Sequence, residues 1–288
     1  MKKADKVKYF IKSTINFFSK KECPYCTQND VNIIDRKYLF TTLLECESCN
    51  LMFRHPLDSE KFNFKFYNSD YNQNGITTDL PSSVQLKSLI DSKFANTNRN
   101  INDLKSIIEA INGTFVNQKI LDYGCSWGYT SWQLKDLGML ASGFEISKAR
   151  AEFGIKNLNV PIFTNIEDIT GGPFEFIFSS HVIEHLPDIK TFVTFCLGNL
   201  KDNGYLIFLC PNGSKDFKKK HPKNFHLFWG QVHPNMISSD FYNHIFGNFP
   251  FYIASSPYDF KELREWDQNK QSINLNGGEE LLCIVKKV

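Results

Sequence analysis

No apolar run in the 288 residues comes near the ~20 that a membrane-spanning helix requires, YLIFLC (Tyr205–Cys210) being typical of the longest. The N-terminus carries lysines but no uninterrupted apolar core and no small-residue cleavage site, which excludes a secretory signal and makes a cytoplasmic protein the expectation. An excess of one charge is missing too. The 33 Lys and Arg against 31 Asp and Glu leave +2, which argues against a broad nucleic-acid-binding surface while leaving room for a local basic patch. Internal repeats and long low-complexity tracts are absent. Apolar material is plentiful: at 42% hydrophobic and 15% aromatic the chain can bury a sizeable core, so wholesale disorder is excluded. The length suits one large domain, or one domain with a small appendage.

The eight cysteines divide into two sets. Cys125, Cys196, Cys210 and Cys283 are scattered through apolar segments and read as small buried hydrophobes. The other four form Cys23-x-x-Cys26 and, nineteen residues on, Cys46-x-x-Cys49. Each CxxC turn offers two thiolates from one backbone bend, and two such knuckles supply the tetrahedron that zinc prefers. Four ligands leave no open position, so such a zinc is structural.

Along the chain, residues 1–22 place Val7, Phe10, Ile11, Thr14, Phe17 and Phe18 on one helical stripe flanked by lysines. Such a helix packs on its own domain or a partner, or lies on an anionic membrane surface as a peripheral contact. Residues 23–55 are the zinc-ribbon unit and 56–117 a linker and helical lead-in, with one helix expected from Val84 to about Ile111 and a stop at Asn112-Gly113. Over 118–288 short apolar strands alternate with helices: KILDYG (119–124), MLASGFEI (139–146), VPIFTN (160–165), EFIFSS (175–180) and GYLIFLCP (204–211). That rhythm predicts an α/β fold with a mostly parallel sheet covered on both faces, closed by 251–260 and 280–288 as an antiparallel pair.

LDYGCSWG (121–128) ends the first of these strands and opens a helix. Gly124 and Gly128 let the backbone approach a ligand, and the helix N-terminus offers unpaired N–H groups. The loop is neither GxGxxG nor a phosphate loop. Asp122 at the strand end suits a cation such as an amino acid's ammonium. Twenty-three residues later Glu145 ends the second strand, where a carboxylate can accept both hydroxyls of a ribose. Asn165, Glu167 and Asp168 follow the third strand and can present polar groups to an adenine edge.

With DYGCSWG, FEIS (144–147), NIEDI (165–169) and EFIFSSHVIEHLPD (175–188) in order, residues 84–288 resemble the class I S-adenosylmethionine-dependent methyltransferases. The resemblance implies a Rossmann-like seven-stranded sheet with the methyl donor at its carboxyl edge. It places Asp122, Gly124, Cys125 and Gly128 at the donor's amino-acid end, Glu145 and Ile146 at the ribose, Glu167 and Asp168 at the adenine, Ser180 and His181 at the methyl, and Arg99 of the preceding helix at the carboxylate. Two departures are Glu175, where Asp is usual, and Trp127, a bulky residue where the loop usually carries glycine and one that would narrow the donor pocket. The cysteine unit followed by CNLMFRHPLD (49–58) and FYNSDY (66–71) is similar to methyltransferases of sugar and surface-polysaccharide biosynthesis.

His181, Glu184 and His185 are spaced i, i+3, i+4, so a helix would present all three on one face. With His233 of WGQVHPNM they can hold a divalent cation and leave positions for substrate. One of the histidines can instead serve as general base, or Glu184 and His185 can simply buttress the loop. The segment is similar to the E-x-x-E-H stretch of ubiquinone-pathway O-methyltransferases and small-RNA 3′-end 2′-O-methyltransferases. That likeness implies magnesium or another divalent metal, with His181 where the first Glu stands. The stretch 215–234 mixes lysines with Phe, Trp and His, including His226, and reads as a substrate-covering element for a phosphorylated glycan or sugar nucleotide, or as a solvated loop.

The expectation is therefore an S-adenosylmethionine-dependent O-methyltransferase acting on a saccharide hydroxyl, with structural zinc. An RNA methyltransferase and a non-catalytic binding module are the alternatives. Strong salt-dependent RNA binding would mark the first, and donor binding without turnover the second.

Overall fold

The computed structural model of the protein describes residues 20–38, 40–57 and 78–288. The predicted N-terminal helix and FYNSDY lie outside the described residues, apart from residues 20–22 at the end of the former. No helix among the described residues is long and apolar enough to cross a membrane.

The alternating segments form the strands β4 (Lys119–Tyr123), β5 (Leu140–Phe144), β6 (Ile162–Phe163), β7 (Phe174–Ser180), β8 (Leu200–Pro211), β10 (Phe251–Ser255), β11 (Gln271–Asn274) and β12 (Glu280–Lys286). Their order in one sheet is β6-β5-β4-β7-β8-β12-β10-β11. The strands from β6 through β8 pair in parallel, whereas β12 runs against both β8 and β10. The antiparallel closure is as expected, but the sheet has eight strands rather than seven, because β11 adds a parallel strand outside β10. The resemblance does not anticipate this edge strand, and QSIN carries little apolar signal.

Period-two alternation divides the central strands between two cores. Leu206, Phe208 and Cys210 of β8 join Leu281, Cys283 and Val285 of β12 on one face. Tyr205, Ile207 and Leu209 join Leu282 and Ile284 on the other, where Leu104, Ile107, Ile108 and Ile111 cover them. The four scattered cysteines are buried and unbridged, and burial pushes their thiols up.

The single helix expected over 84–111 is two, α1 (Ser83–Asp91) and α2 (Asn102–Ile111). The break has a physical cause. Phe94 is fully buried against Trp127 and Trp132, with Lys93, Phe94 and Asn96 at φ of 49°, 60° and 57°. The polar run behind it bonds locally: Thr97 Oγ1 donates to Phe94 O at 2.8 Å, and the Asn102 N–H donates to Asn100 Oδ1 at 3.1 Å. Side chains that satisfy nearby backbone groups compete with the helix. Arg99 consequently sits in this turn and not on a helix.

The cysteine unit is an antiparallel meander of β1 (Val31–Lys37), β2 (Thr41–Cys46) and β3 (Met52–His55). Its sheet takes a fourth strand, β9 (Asn235–Met236), from the insertion that follows β8. That insertion folds as two short helices, α6 (Lys215–Lys220) and α7 (Pro222–Phe228); α3 (Tyr129–Asp136), α4 (Lys148–Leu158) and α5 (Ile189–Asn199) precede them. Phe217, Phe225 and Trp229 are buried with Leu43 and Met52 of the meander. His226 Nδ1 and Trp229 Nε1 both donate to Asp35 Oδ2, at 2.7 and 2.8 Å. The stretch 215–234, read as a substrate cover or a solvated loop, thus spends Phe217, Phe225 and Trp229 on packing against the cysteine unit.

Candidate active site

Strand order reverses between β4 and β7, so the loops leaving their carboxyl ends diverge. Open α/β sheets hold ligands in that crevice. A cavity of about 1130 Å³ opens here.

One end of the cavity is built by the β4 loop. Gly124, Ser126 and Gly128 take φ of 85°, 53° and 80°, so the left-handed positions alternate and the second belongs to a serine. Trp127, between them, turns to the back of the loop, fully buried against Phe94, Tyr129 and Phe153, and does not narrow the cavity. Gly124 is where the β4 and β7 loops meet: a Cβ there would lie 2.3 Å from Val182 Cγ2. Gly124→Ala combines that clash with a left-handed backbone worth roughly 1–2 kcal/mol of strain. We expect lower thermal stability and a donor affinity reduced on the order of tenfold, by calorimetry; unchanged affinity would show that the loops can separate freely.

Glu145 directly follows β5 and reaches back under this loop. Its Oε2 accepts the Ser126 N–H at 3.0 Å and its Oε1 the Ser147 N–H at 2.7 Å, which leaves a lone pair on each oxygen toward the cavity. Burial raises its carboxyl, against the pull of those N–H groups and of Arg150. Ile146, Ser180 and His181 also line the cavity, with Gly124 and Glu145. Asp122, Cys125, Gly128, Glu167, Asp168 and Arg99 do not. Asp122 is buried behind the loop, where its carboxylate accepts from Ser131 Oγ at 2.8 Å and burial pushes it up to about 7. The Cys125 thiol packs toward Gly143. Glu167 and Asp168 are exposed on a 3-10 turn (Ile166–Asp168), where Asp168 accepts from Asn165 Nδ2 and Ile166 alone lines the cavity. The Arg99 guanidinium lies 5.8 Å from the Trp127 ring centroid. Glu175, the acidic departure, accepts the Lys119 N–H and Lys201 Nζ at the far end of the sheet, a latch between strands that either acid can serve.

The other end is built by the β7 loop. His181, Glu184 and His185 do not share a helix face, because His181 adopts φ 54° and only a 3-10 turn (Ile183–His185) follows. His181 is half exposed; its Nε2 meets Glu280 Oε2 at 2.9 Å and its Nδ1 lies 3.4 Å from Glu184 Oε1. Burial opposes its charge, but the two carboxylates prevail and push it up to about 10. Tyr258 OH donates to the other Glu280 oxygen at 2.5 Å.

Glu184, His185 and His233 form a tighter group, with one possible ligand atom from each lying within 4.8 Å of the others. Glu184 is 1% exposed, yet neither oxygen accepts a hydrogen bond. Burial raises its carboxyl, but the His185 charge and the nearby His181 outweigh this and bring it to about 2. His185 Nδ1 donates to Val232 O at 2.6 Å and His233 Nδ1 to Phe228 O at 2.7 Å. A carbonyl accepts only, so both rings carry a proton on Nδ1; His185 Nε2 is 3.7 Å from Glu184 Oε1. Burial and the His185 charge lower His233 to about 4, so it is neutral at physiological pH.

The sequence reading missed Asp103, Tyr129, Thr130, Arg150 and Glu280, all of which line the cavity. Glu280 has no local motif and arrives through the pairing of β12 with β8. Arg150 stood five residues beyond Glu145 in FEISKAR, a charge complement that was available.

Residues 94–256 match the family described as a methyltransferase domain. No curated protein matches the chain. Among solved structures, a plantazolicin methyltransferase in complex with S-adenosylhomocysteine superposes with a TM-score of 0.50 at 14% identity, over 78% of this chain and 94% of its own. Magnesium protoporphyrin IX methyltransferase from Synechocystis PCC 6803 gives 0.49 at 14% identity, over 80% and 100%. An S-adenosylmethionine-dependent methyltransferase from Archaeoglobus fulgidus gives 0.46 at 16%, over 70% and 99%. With more than half of its length matched and the sheet order in place, the chain belongs to the methyltransferase-domain family and is an S-adenosylmethionine-dependent methyltransferase.

Proposed function

We propose that the protein methylates a hydroxyl of a saccharide, a sugar nucleotide or surface glycan, with a divalent cation held by Glu184, His185 and His233. The observation that carries the metal half is Glu184: a buried carboxylate that accepts no hydrogen bond, with its ion-pair contacts to His181 and His185 no closer than 3.4 and 3.7 Å, is costly unless something occupies the space before it. Two imidazoles with Nδ1 fixed on carbonyls beside a carboxylate are the arrangement that metal sites use to orient ligands. Two imidazoles and one carboxylate can hold one face of a cation and leave positions open. His181 stands outside this set, tied to Glu280. Such a cation, when bound, favours the alkoxide of a coordinated hydroxyl.

The chain's own residues align the reactants. Glu145 accepts the ribose hydroxyls, Gly124 admits the donor's amino-acid end between the two loops, and Ser180 and His181 border the methyl. Displacement at carbon needs the acceptor oxygen, methyl carbon and sulfur in line, so positioning supplies much of the rate. The saccharide half of the proposal rests on the likeness of the cysteine unit and its following segment to surface-polysaccharide methyltransferases. The four cysteines fit structural zinc: Cys23 and Cys49 Sγ are 3.5 Å apart and Cys26 and Cys46 Sγ 3.4 Å, near the edge of about 3.8 Å that a tetrahedron of zinc–thiolate bonds requires.

The test offers labelled S-adenosylmethionine with a nucleotide-sugar and glycan pool beside total RNA, with brief chelation and magnesium add-back. We expect label in the saccharide pool, lost on chelation and restored by magnesium, an ion that does not replace zinc on thiolates. Label only in RNA overturns the saccharide reading, and transfer indifferent to chelation overturns the metal.

A further inference from the structure

Residues 232–236 form a strap between two neighbours. On one side β3 pairs with it, Met52 opposite Met236 and Phe53 opposite Asn235, and the Arg54 N–H donates to Pro234 O at 2.7 Å. On the other side the strap holds the turn after β7. Val232 O accepts from His185 Nδ1 at 2.6 Å, and Asn235 Nδ2 donates to Leu186 O at 2.8 Å. His233 lies between these contacts. Among the described residues β3 is the strand that β9 ladders with, and the next tie to the catalytic sheet is at Ile237, whose carbonyl accepts the Gly213 N–H at 2.8 Å. β3 in turn begins three residues after Cys49, and the Cys46 N–H donates to Leu51 O at 2.9 Å, so knuckle and strand are one continuous piece.

We propose that the four-cysteine unit is a positioning element of the active site: β3 fixes the backbone of 232–236, and through it the aim of His185 and His233 at Glu184. The inference rests on reading those three residues as a metal-binding set. A ligand set works only when its members are held to within about 0.5 Å, and a strap of five residues with a proline gains that rigidity from the strand beside it. Loss of the partners that orient ligands typically costs about 10–100-fold in metal affinity. A ribbon serving only to dock a partner would not need to share a ladder with the segment that carries His233.

The test uses the full-length chain, Cys46→Ser and, as a variant that retains all four cysteines, Met236→Ala, which removes a fully buried side chain from the β3–β9 junction. Zinc content per chain, donor affinity by calorimetry, and Mn²⁺ binding by electron paramagnetic resonance are measured on each. Mn²⁺ is chosen because thiolates hold it poorly. We expect Cys46→Ser to lose zinc and to bind Mn²⁺ at least tenfold more weakly, with donor affinity within about twofold of the parent, and Met236→Ala to weaken Mn²⁺ with zinc retained. Unchanged Mn²⁺ affinity in both variants overturns the proposal. If Cys46→Ser fails to fold, seen as lost donor binding, Met236→Ala alone decides. If the parent itself binds no Mn²⁺, the metal reading falls, and the coupling is read from ¹⁵N-histidine spectra. The Nδ1–H of His185, held on Val232 O in the parent, is then expected to lose its single tautomer in the variants, and its persistence overturns the coupling.

Discussion

Replacing His185 with alanine is expected to lower methyl transfer by about 10²–10⁴-fold while donor affinity stays within a factor of two. The ring is 14% exposed, its Nδ1 is committed to Val232 O, and its Nε2 faces Glu184 across 3.7 Å. Its removal takes away one of the three groups that converge there, and with it the neighbour that most lowers the Glu184 carboxyl. The donor end of the cavity, built on β4 and β5, is untouched. Leaving Val232 O without its donor costs about 1–3 kcal/mol, so a modest drop in melting temperature accompanies the loss. Single-turnover transfer of labelled methyl, beside calorimetry of donor binding, separates the outcomes. Transfer retained near the parent rate would reduce His185 to a buttress and remove both the metal and the base readings.

Glu145→Ala should act at the opposite end, weakening donor binding on the order of 10²-fold or more. Hydrogen bonds to a charged acceptor are worth about 1.5–3 kcal/mol each, and two are lost with the ribose hydroxyls. The same substitution orphans the Ser126 and Ser147 N–H groups, so the β4 loop loses the carboxylate that ties it to β5. Glu145→Gln keeps one accepting oxygen and should fall between. Calorimetry decides, and an unchanged dissociation constant for Glu145→Ala would sink the assignment of this cavity as the donor site.

The parts of this fold that repeat locally were legible. Short, largely apolar segments alternating with helices gave β4, β5 and β7, and a carboxylate at a strand end placed Glu145 in the cavity. What failed did so where long-range packing overrode local pattern. Phe94 broke a helix that periodicity joined, because its burial against Trp127 and Trp132 outweighs helix continuity. Trp127 was read as facing the donor, but a residue between two left-handed positions points to the rear of the loop. Spacing alone put His181 on one helix face with Glu184 and His185; the left-handed turn at 181 breaks that face and gives its Nε2 to Glu280, ninety-nine residues away, while its Nδ1 stays 3.4 Å from Glu184. Spacing could not show that the insertion carrying His233 would complete the cysteine sheet, since β9 is two residues long.

The two margins of the large sheet, as the described residues form it, bear on how a second copy could pair with it. One margin, β6, offers two residues; the other, β11, offers four, of which Gln271, Ser272 and Asn274 are polar. Exposed strand margins invite a neighbouring chain to continue the ladder, and shortness and polarity are the usual deterrents. The Gln271 side chain further spends its amide on Gly247 O at 2.6 Å, within its own fold. Among the described residues, both margins of the broadest sheet thus discourage a second copy from extending the ladder.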